Sequence, residues 1–439
     1  MKKRNVAVWR RAAAAAFAVW LLTAANAWAV NYQDYPVGER SAGMGGAYMA
    51  LSDDASGAYY NPAGLGFAAS SSFSISGTVY GFSRAQLTNA VSMGSASGAL
   101  DIDTYYAIPA LFGTVYRFGG LSFDDDKGPK DNVVALSIVV PDYYDYNDQS
   151  KFNGGATQFS SRFHNQTYWF GPSYARRIDD HFAVGATVYG LFSQQTFGST
   201  FAGTFGPNNF SVLTGKLDFT SNLSTTLEAL NFLGEIGVQV KFDYFRAGLV
   251  FRTPSVQAWG SGSESTDTLV AYEGNSNLQN DVTKFTPIRK DPLMVGLGLA
   301  YSRPLHYAAS VDVKYYGSES YQDADKASVA SPVKAKAIPN VNVGGEYVIR
   351  ETVPLQAGFY TNLSPYADTH VDMYGVTFAS GLIHLQSTTT LGVNYAWGAG
   401  KTTVTSLAQK NGQIVGVTGT GSVSLQMFNV MLATSYRFQ

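Results

Sequence analysis

Runs of strict two-residue alternation, most of them ten or more residues long, dominate the chain from about residue 70 onwards. Over 293–301, Leu293, Val295, Leu297, Leu299 and Tyr301 share one face, opposite Gly296, Gly298 and Ala300. In the next run Tyr307, Ala309, Val311, Val313 and Tyr315 oppose Ser310, Asp312 and Lys314. Residues 232–242 set Phe232, Ile236, Val238, Val240 and Phe242 against Glu235, Gln239 and Lys241. A period of two is that of a β-strand with one apolar and one polar face. Such strands can build a soluble sandwich, with the apolar face as core. They can also build a membrane barrel, with the apolar face toward lipid.

Length and spacing decide between these. The runs exceed the ~5–6 residues usual for soluble strands, and short connections alternate with long ones. Tight links fall at Arg177–Asp180, Lys241–Tyr244, Ser302–Leu305, Arg350–Thr352 and near Leu385–Ser387. Long polar stretches lie near 84–104, 141–161, 198–227, 262–288, 319–334 and 403–420. The link 120–131, with Asp124, Asp125 and Asp126, is a longer turn on the short side. This alternation predicts an all-β fold, a transmembrane antiparallel β-barrel of about fourteen strands. The expected strands are 70–84, 104–119, 131–140, 161–177, 180–197, 228–242, 244–261, 289–302, 305–318, 335–350, 352–363, 371–382, 387–402 and 421–438. Charged residues make up 14 % of the chain, against about 25 % in soluble domains. Aromatics reach 14 % and glycine 45 residues, while no apolar run approaches the ~20 residues of a spanning helix.

Residues 1–29 read as a cleaved secretory signal. Lys2, Lys3, Arg4, Arg10 and Arg11 form its cationic start, Ala12 to Leu22 its apolar core, and Ala27-Trp28-Ala29 its small-residue cleavage site. Its removal leaves 25 Lys and Arg against 32 Asp and Glu, a net charge of −7. An acidic exported chain has no electrostatic case for nucleic acid. Export combined with a barrel points to the outer membrane of a Gram-negative cell, with its lipid and lipopolysaccharide as surroundings.

Residues 30–69 do not read as strands. They carry Arg40-Ser-Ala-Gly-Met-Gly45-Gly46-Ala-Tyr-Met-Ala-Leu-Ser-Asp53-Asp54-Ala-Ser, then Asn61-Pro62-Ala63-Gly64-Leu65. Met44 to Leu51 is expected as a short helix, with Ser52 or Asp53 capping a second. Asn61-Pro62 marks a turn. A compact Gly- and Ala-rich stretch ahead of a barrel is either a plug in the lumen or a periplasmic tail, and composition leaves both open. The expected domains are thus 1–29 signal, 30–69 plug, and 70–439 barrel.

The Gly-rich stretch, Asp53-Asp54-Ala-Ser56 and Asn61-Pro62-Ala63-Gly64, followed by about fourteen amphipathic strands, resembles the FadL/TodX-type outer-membrane transport proteins. The likeness continues at Gly237, at Arg246-Ala-Gly-Leu-Val-Phe-Arg252, at Ile338-Pro339-Asn340, and at Tyr395 before Trp397. The last segment places Phe428, Val430, Leu432, Tyr436 and Phe438 on one face. It resembles the signal read by barrel-assembly machinery, except that Gln439 follows the aromatic. The resemblance implies a fourteen-stranded barrel closed by a hatch, into which hydrophobic small molecules enter from outside. It implies passive lateral release beside a kink in the third strand. Gly45, Gly46, Asn61, Pro62 and Ala63 would gate, with the Asn-Pro-Ala part near the wall opening. A second branch with the same signature, the FadL-like accessory barrels of secretion systems, binds protein cargo instead.

Candidate contacts to substrate follow from residue type. Tyr143, Tyr144, Tyr146, Phe152 and Phe159 in the 141–161 stretch could capture an apolar molecule, as could Phe201, Phe205, Phe210 and Leu213; a membrane-interface belt or ordinary loop packing is the alternative. Arg246, Arg252 and Lys314 fall on polar strand faces and could meet a substrate carboxylate. Wall carboxylates Glu235, Asp312 and Glu346 are their other expected partners. His164, His181, His306, His370 and His384 form no metal-ligand or triad spacing, so neither enzyme nor cofactor nor metal is expected.

Overall fold

The computed structural model describes residues 31–33, 35–93, 96–119, 131–152, 157–367, 369–410 and 413–438. The expected signal 1–29, Asp124–Asp126 and Gln439 lie outside the described residues, as does the Phe152 side chain. Among the described residues the strands are β1 Ser71–Met93, β2 Ala96–Phe118, β3 Asn132–Phe152, β4 Thr157–Arg177, β5 Phe182–Phe205 and β6 Leu217–Phe242. There follow β7 Phe245–Arg252, β8 Val256–Tyr272, β9 Asn275–Phe285, β10 Met294–Arg303, β11 Tyr307–Tyr316, β12 Glu319–Gln322 and β13 Pro332–Ala335. The last are β14 Ile338–Ile349, β15 Val353–Asn362, β16 His370–His384, β17 Ser387–Lys410 and β18 Gln413–Phe438.

Fourteen of these close a ring of antiparallel neighbours, in the order β1 to β7, β10, β11, β14 to β18 and back to β1. Ring closure runs from Ser71 opposite Phe438 to Leu87 opposite Val423. The alternation reads directly onto the wall. Ala308, Ser310, Asp312, Lys314 and Tyr316 of β11 are buried, whereas Val311, Val313 and Tyr315 are exposed outward. An apolar outer face and a polar inner one make this a transmembrane barrel and exclude the sandwich.

Three expectations change. The expected seventh strand, 244–261, is two: Pro254 has no N–H to donate to a ladder, and the chain leaves β7 at Arg252 to resume as β8. The β8–β9 hairpin then pairs along the loop-end half of β6, beside which β7 occupies the turn-end half. Most of the described residues in the stretches expected as loops, including those of 84–104, 141–161 and 403–420, extend the wall strands. Backbone pairing continues past the lipid boundary because it does not require an apolar face. Finally, Met44–Leu51 is not a helix. Gly45 and Gly46 hold φ of +63° and +75°, a left-handed turn that ends the short helix α1, Arg40–Gly43. A second short helix, α2, spans Gly57–Tyr60, and a 3-10 turn spans Pro62–Phe67.

The segment 31–70 lies inside the ring. It hydrogen-bonds to β3, β5, β6, β7, β11, β14 and β16, which only a lumenal position allows. Its backbone rests directly on inward glycines of the wall. A methyl group on Gly248 would collide with the Met49 carbonyl oxygen, and one on Gly344 with that of Met44; Gly185, Gly298 and Gly358 are equally tight.

Candidate path for an apolar molecule

The turn-end half of the lumen is occupied by this segment and a belt of buried ions. Arg246 pairs with Asp53 at 2.9 Å and Arg252 with Glu235 at 2.7 Å. Arg40 reaches Glu346 at 2.9 Å and Asp53 at 3.6 Å. Lys314 donates to Gln33 at 3.2 Å and sits over the Tyr60 ring. The Arg252 guanidinium also lies 4.7 Å from the Trp169 ring centroid and 5.2 Å from that of Tyr59. Asp312 is fully buried and accepts from the backbone N–H groups of Tyr48 and Met49 at 2.6 and 2.8 Å. A buried charge without a partner is expensive, so each of these groups fixes its neighbour. Burial pushes the Asp53 carboxyl up, but the guanidiniums of Arg246 and Arg40 outweigh it and hold it below its ordinary range. Burial, together with the Asp53 charge, raises Asp54. Burial likewise pushes Glu39 up to about 7.

Of the expected gating residues, Gly45 and Gly46 form the turn against β14 and β15, where Asn342 donates to the Gly45 carbonyl at 2.7 Å. Asn61 is fully buried; its amide donates to Met49 and Val238 carbonyls, and its oxygen accepts from Ala63 N–H. Asn61, Pro62 and Ala63 thus rest on β5, β6 and β7, rather than on the third strand, where the resemblance placed the opening.

The ladder between β2 and β3 is short. It runs only from Phe118 opposite Asn132 to Leu111 opposite Val139. On the loop-end side, β2 pairs with β1 alone and β3 with β4 alone, after a slip between Val139 and Asp142. Pro109 and Pro141 stand at this point and cannot donate to a ladder. The Val140 carbonyl accepts instead from the Tyr35 hydroxyl of the lumenal segment, at 2.9 Å. Across the separation the rings of Tyr106 and Tyr143 meet with centroids 5.6 Å apart. Tyr143 and Tyr144, expected in a loop, are therefore wall residues.

Two apolar clusters adjoin the separation. The loop-end cluster gathers inward side chains from most of the wall, among them Leu100, Tyr146, Phe163, Phe201 and Phe205, joined by Phe210 of the β5–β6 loop, with Tyr144 and Phe159 packed on it. The second joins Ile108, Val139 and Val140 at the separation to Tyr35, Tyr59 and Tyr60 of the lumenal segment. Tyr106 packs against both. Phe201, Phe205 and Phe210 thus face the lumen, not a membrane-interface belt. At ~25 cal/mol per Å² of apolar area covered, such a surface binds an apolar molecule without a charged partner. Toward the turn end, two cavities beside the lumenal segment measure about 10 Å³ each, the space of about one water.

A buried polar knot at the β3 slip escaped the sequence reading. Asp142 accepts from Asn165 at 3.1 Å, Thr167 at 3.0 Å and Arg289 at 3.4 Å. Asp142 and Arg289 are 147 positions apart, so no local pattern pairs them.

No family sequence model matches the chain, and no curated protein matches it by sequence. Comparison with solved structures gives full-length likenesses. A Pseudomonas aeruginosa FadL homologue aligns with TM-score 0.65 at 11 % identity, covering 93 % of this chain and 100 % of its own. The Pseudomonas putida toluene transporter TodX aligns with TM-score 0.60 at 14 % identity, covering 92 % and 99 %. The Ralstonia pickettii toluene transporter TbuX gives 0.58 at 14 %, over 92 % and 99 %. The chain has the fold of the FadL/TodX-type channels.

Proposed function

We propose that the protein is an outer-membrane channel for passive uptake of hydrophobic compounds, with the tight turns facing the periplasm. An apolar molecule binds among Phe201, Phe205 and the other loop-end side chains, then passes Tyr106 toward the separation between β2 and β3. There it leaves sideways into the membrane. The lumenal segment is the hatch that blocks the direct route to the periplasm. The observation that carries this reading is the continuity of the two apolar clusters through Tyr106 to the point where β2 and β3, strands of 23 and 21 residues, pair with each other over only eight positions. The solved structures with this fold include toluene transporters, which supports the same substrate class. Binding energy and the concentration gradient suffice, and no cofactor or chemical step is involved.

The lumenal cations refine the substrate. Arg246 and Arg252 are held by Asp53 and Glu235, and Lys314 is covered by Gln33 and Tyr60. A carboxylate would have to displace a buried partner, which favours neutral hydrocarbons over fatty acids as cargo.

The chain contains no cysteine, so Y106C/Y143C can be bridged in whole cells by a short bis-methanethiosulfonate, which forms a disulfide with each thiol and releases methanesulfinate. Bridging should abolish toluene uptake relative to the unbridged double variant. Unchanged uptake would exclude lateral release at this site.

A further inference from the structure

The outer wall carries a concavity that the transport reading does not use. It holds about 410 Å³, within the ~300–1,000 Å³ range of small-molecule sites, and it opens on the lipid-facing side near the tight turns. Register explains it. Along the outward faces of neighbouring strands, Ala247 lies opposite Leu299, and Ala309 opposite Tyr301. The two alanines form a shallow floor, while Leu299, Val343, Phe245 and Tyr301 stand up around it. A smooth barrel wall would present side chains of similar height here.

The rim changes character toward the strand ends. Tyr301 stacks on Tyr307 at 5.8 Å and contacts Phe245 edge-on at 5.0 Å. Arg303, exposed and facing Tyr307 across the ladder, stands next on the same outward face. Among the described residues no carboxylate forms an ion pair with it; the nearby Glu351 lies 4.0 Å from His306 instead. An apolar trough within the bilayer, an aromatic rim at its edge and an uncommitted guanidinium just beyond match one amphiphile. Its apolar tail fills the trough and its anionic head meets Arg303.

We propose that this groove is a binding site for one membrane phospholipid, its acyl chain over Ala247 and Ala309 and its phosphate on Arg303. The site lies on the outside of the wall and does not depend on what the lumen carries.

The test uses the full chain in mild detergent, titrated with dioleoylphosphatidylglycerol and read by native mass spectrometry. Heat-modifiable gel mobility checks that each variant is folded. The wild type should retain one lipid per barrel. A309W, which fills the trough from its outward floor, should weaken retention at least tenfold, and the milder A309M should weaken it less. R303Q should weaken phosphatidylglycerol several-fold while leaving dioleoylglycerol, which lacks the phosphate, unaffected. Absence of a stoichiometric lipid, or equal retention by folded A309W and A309M, would overturn the proposal. A wild-type dimer that A309W dissolves would assign the groove to a second copy of the chain instead.

Discussion

The wall treats the lumenal segment differently on its two sides. From β5 through β15 it offers bare glycines and buried ion pairs, so that the backbone of Met44, Met49 and Pro62 lies directly on the strands. Where the β2–β3 ladder stops, after eight residue pairs, the neighbours are apolar and the Tyr35 hydroxyl reaches the Val140 carbonyl; nearer the turns the Arg117 guanidinium of β2 donates to the Ala68 carbonyl at 2.5 Å. One side is built for close fit, where any change of volume is felt. Where the β2–β3 ladder ends, the segment is held by dispersion and a neutral hydrogen bond, which is the cheaper contact to break. The proposed function calls for both, since a channel of that kind stays closed to ions yet releases an apolar molecule.

Crowding the close-fitting side should have the largest effect. G248L drives a side chain into the Met49 carbonyl and should expel the segment, raising single-channel conductance in planar bilayers several-fold with the barrel still folded. Unchanged conductance would mean that the segment does not seal the lumen. R252M comes next, because it leaves the fully buried Glu235 uncompensated; a loss of ~3–5 kcal/mol is expected for breaking such a pair. Adding E235L should recover most of it, measured as the melting temperature in detergent.

Glu39 gives a pH test. Its carboxyl titrates near 7 when the segment is docked, against an ordinary value of 4.5. The docked state therefore binds the proton more tightly than the undocked one. The Glu39 contribution to docking stability should be greatest below pH 4.5, fall as pH rises between 4.5 and 7, and level off above. E39Q should flatten this slope in a titration of conductance or melting temperature. The smallest change is at the loosely held side. Y35F removes one neutral hydrogen bond, worth ~1 kcal/mol, and should speed amide exchange around Val139 and Val140 while leaving β6 and β7 unchanged.

The strand plan was legible because burial on one face imposes a two-residue period, and β10 and β11 carry it without exception. Strand ends beyond the lipid were not, since the outer halves of β3 and β17 pair through the backbone without an apolar stripe. Arg246, Arg252 and Lys314 were readable as inward polar residues, with Glu235, Asp312 and Glu346 as their candidate partners but no way to tell which pairs with which. The Asp53 partner of Arg246 was not, because the segment's path through the lumen brings together residues 193 positions apart. Asn61, Pro62 and Ala63 carried a recognisable turn, but where that turn rests depends on the glycines of β5 to β7. Tyr143 was expected in a capture loop, but it belongs to a wall strand beside an interrupted ladder, which no local pattern marks.

The most direct measurement is photolabelling of the native barrel with a small neutral aryl diazirine, followed by peptide mapping with and without excess toluene. Labelling at Phe201, Phe205, Tyr106 and Tyr143 that toluene suppresses is the expected result. Label confined to outward residues such as Leu299 and Val313, or inner label that toluene does not suppress, would contradict an apolar path through this barrel.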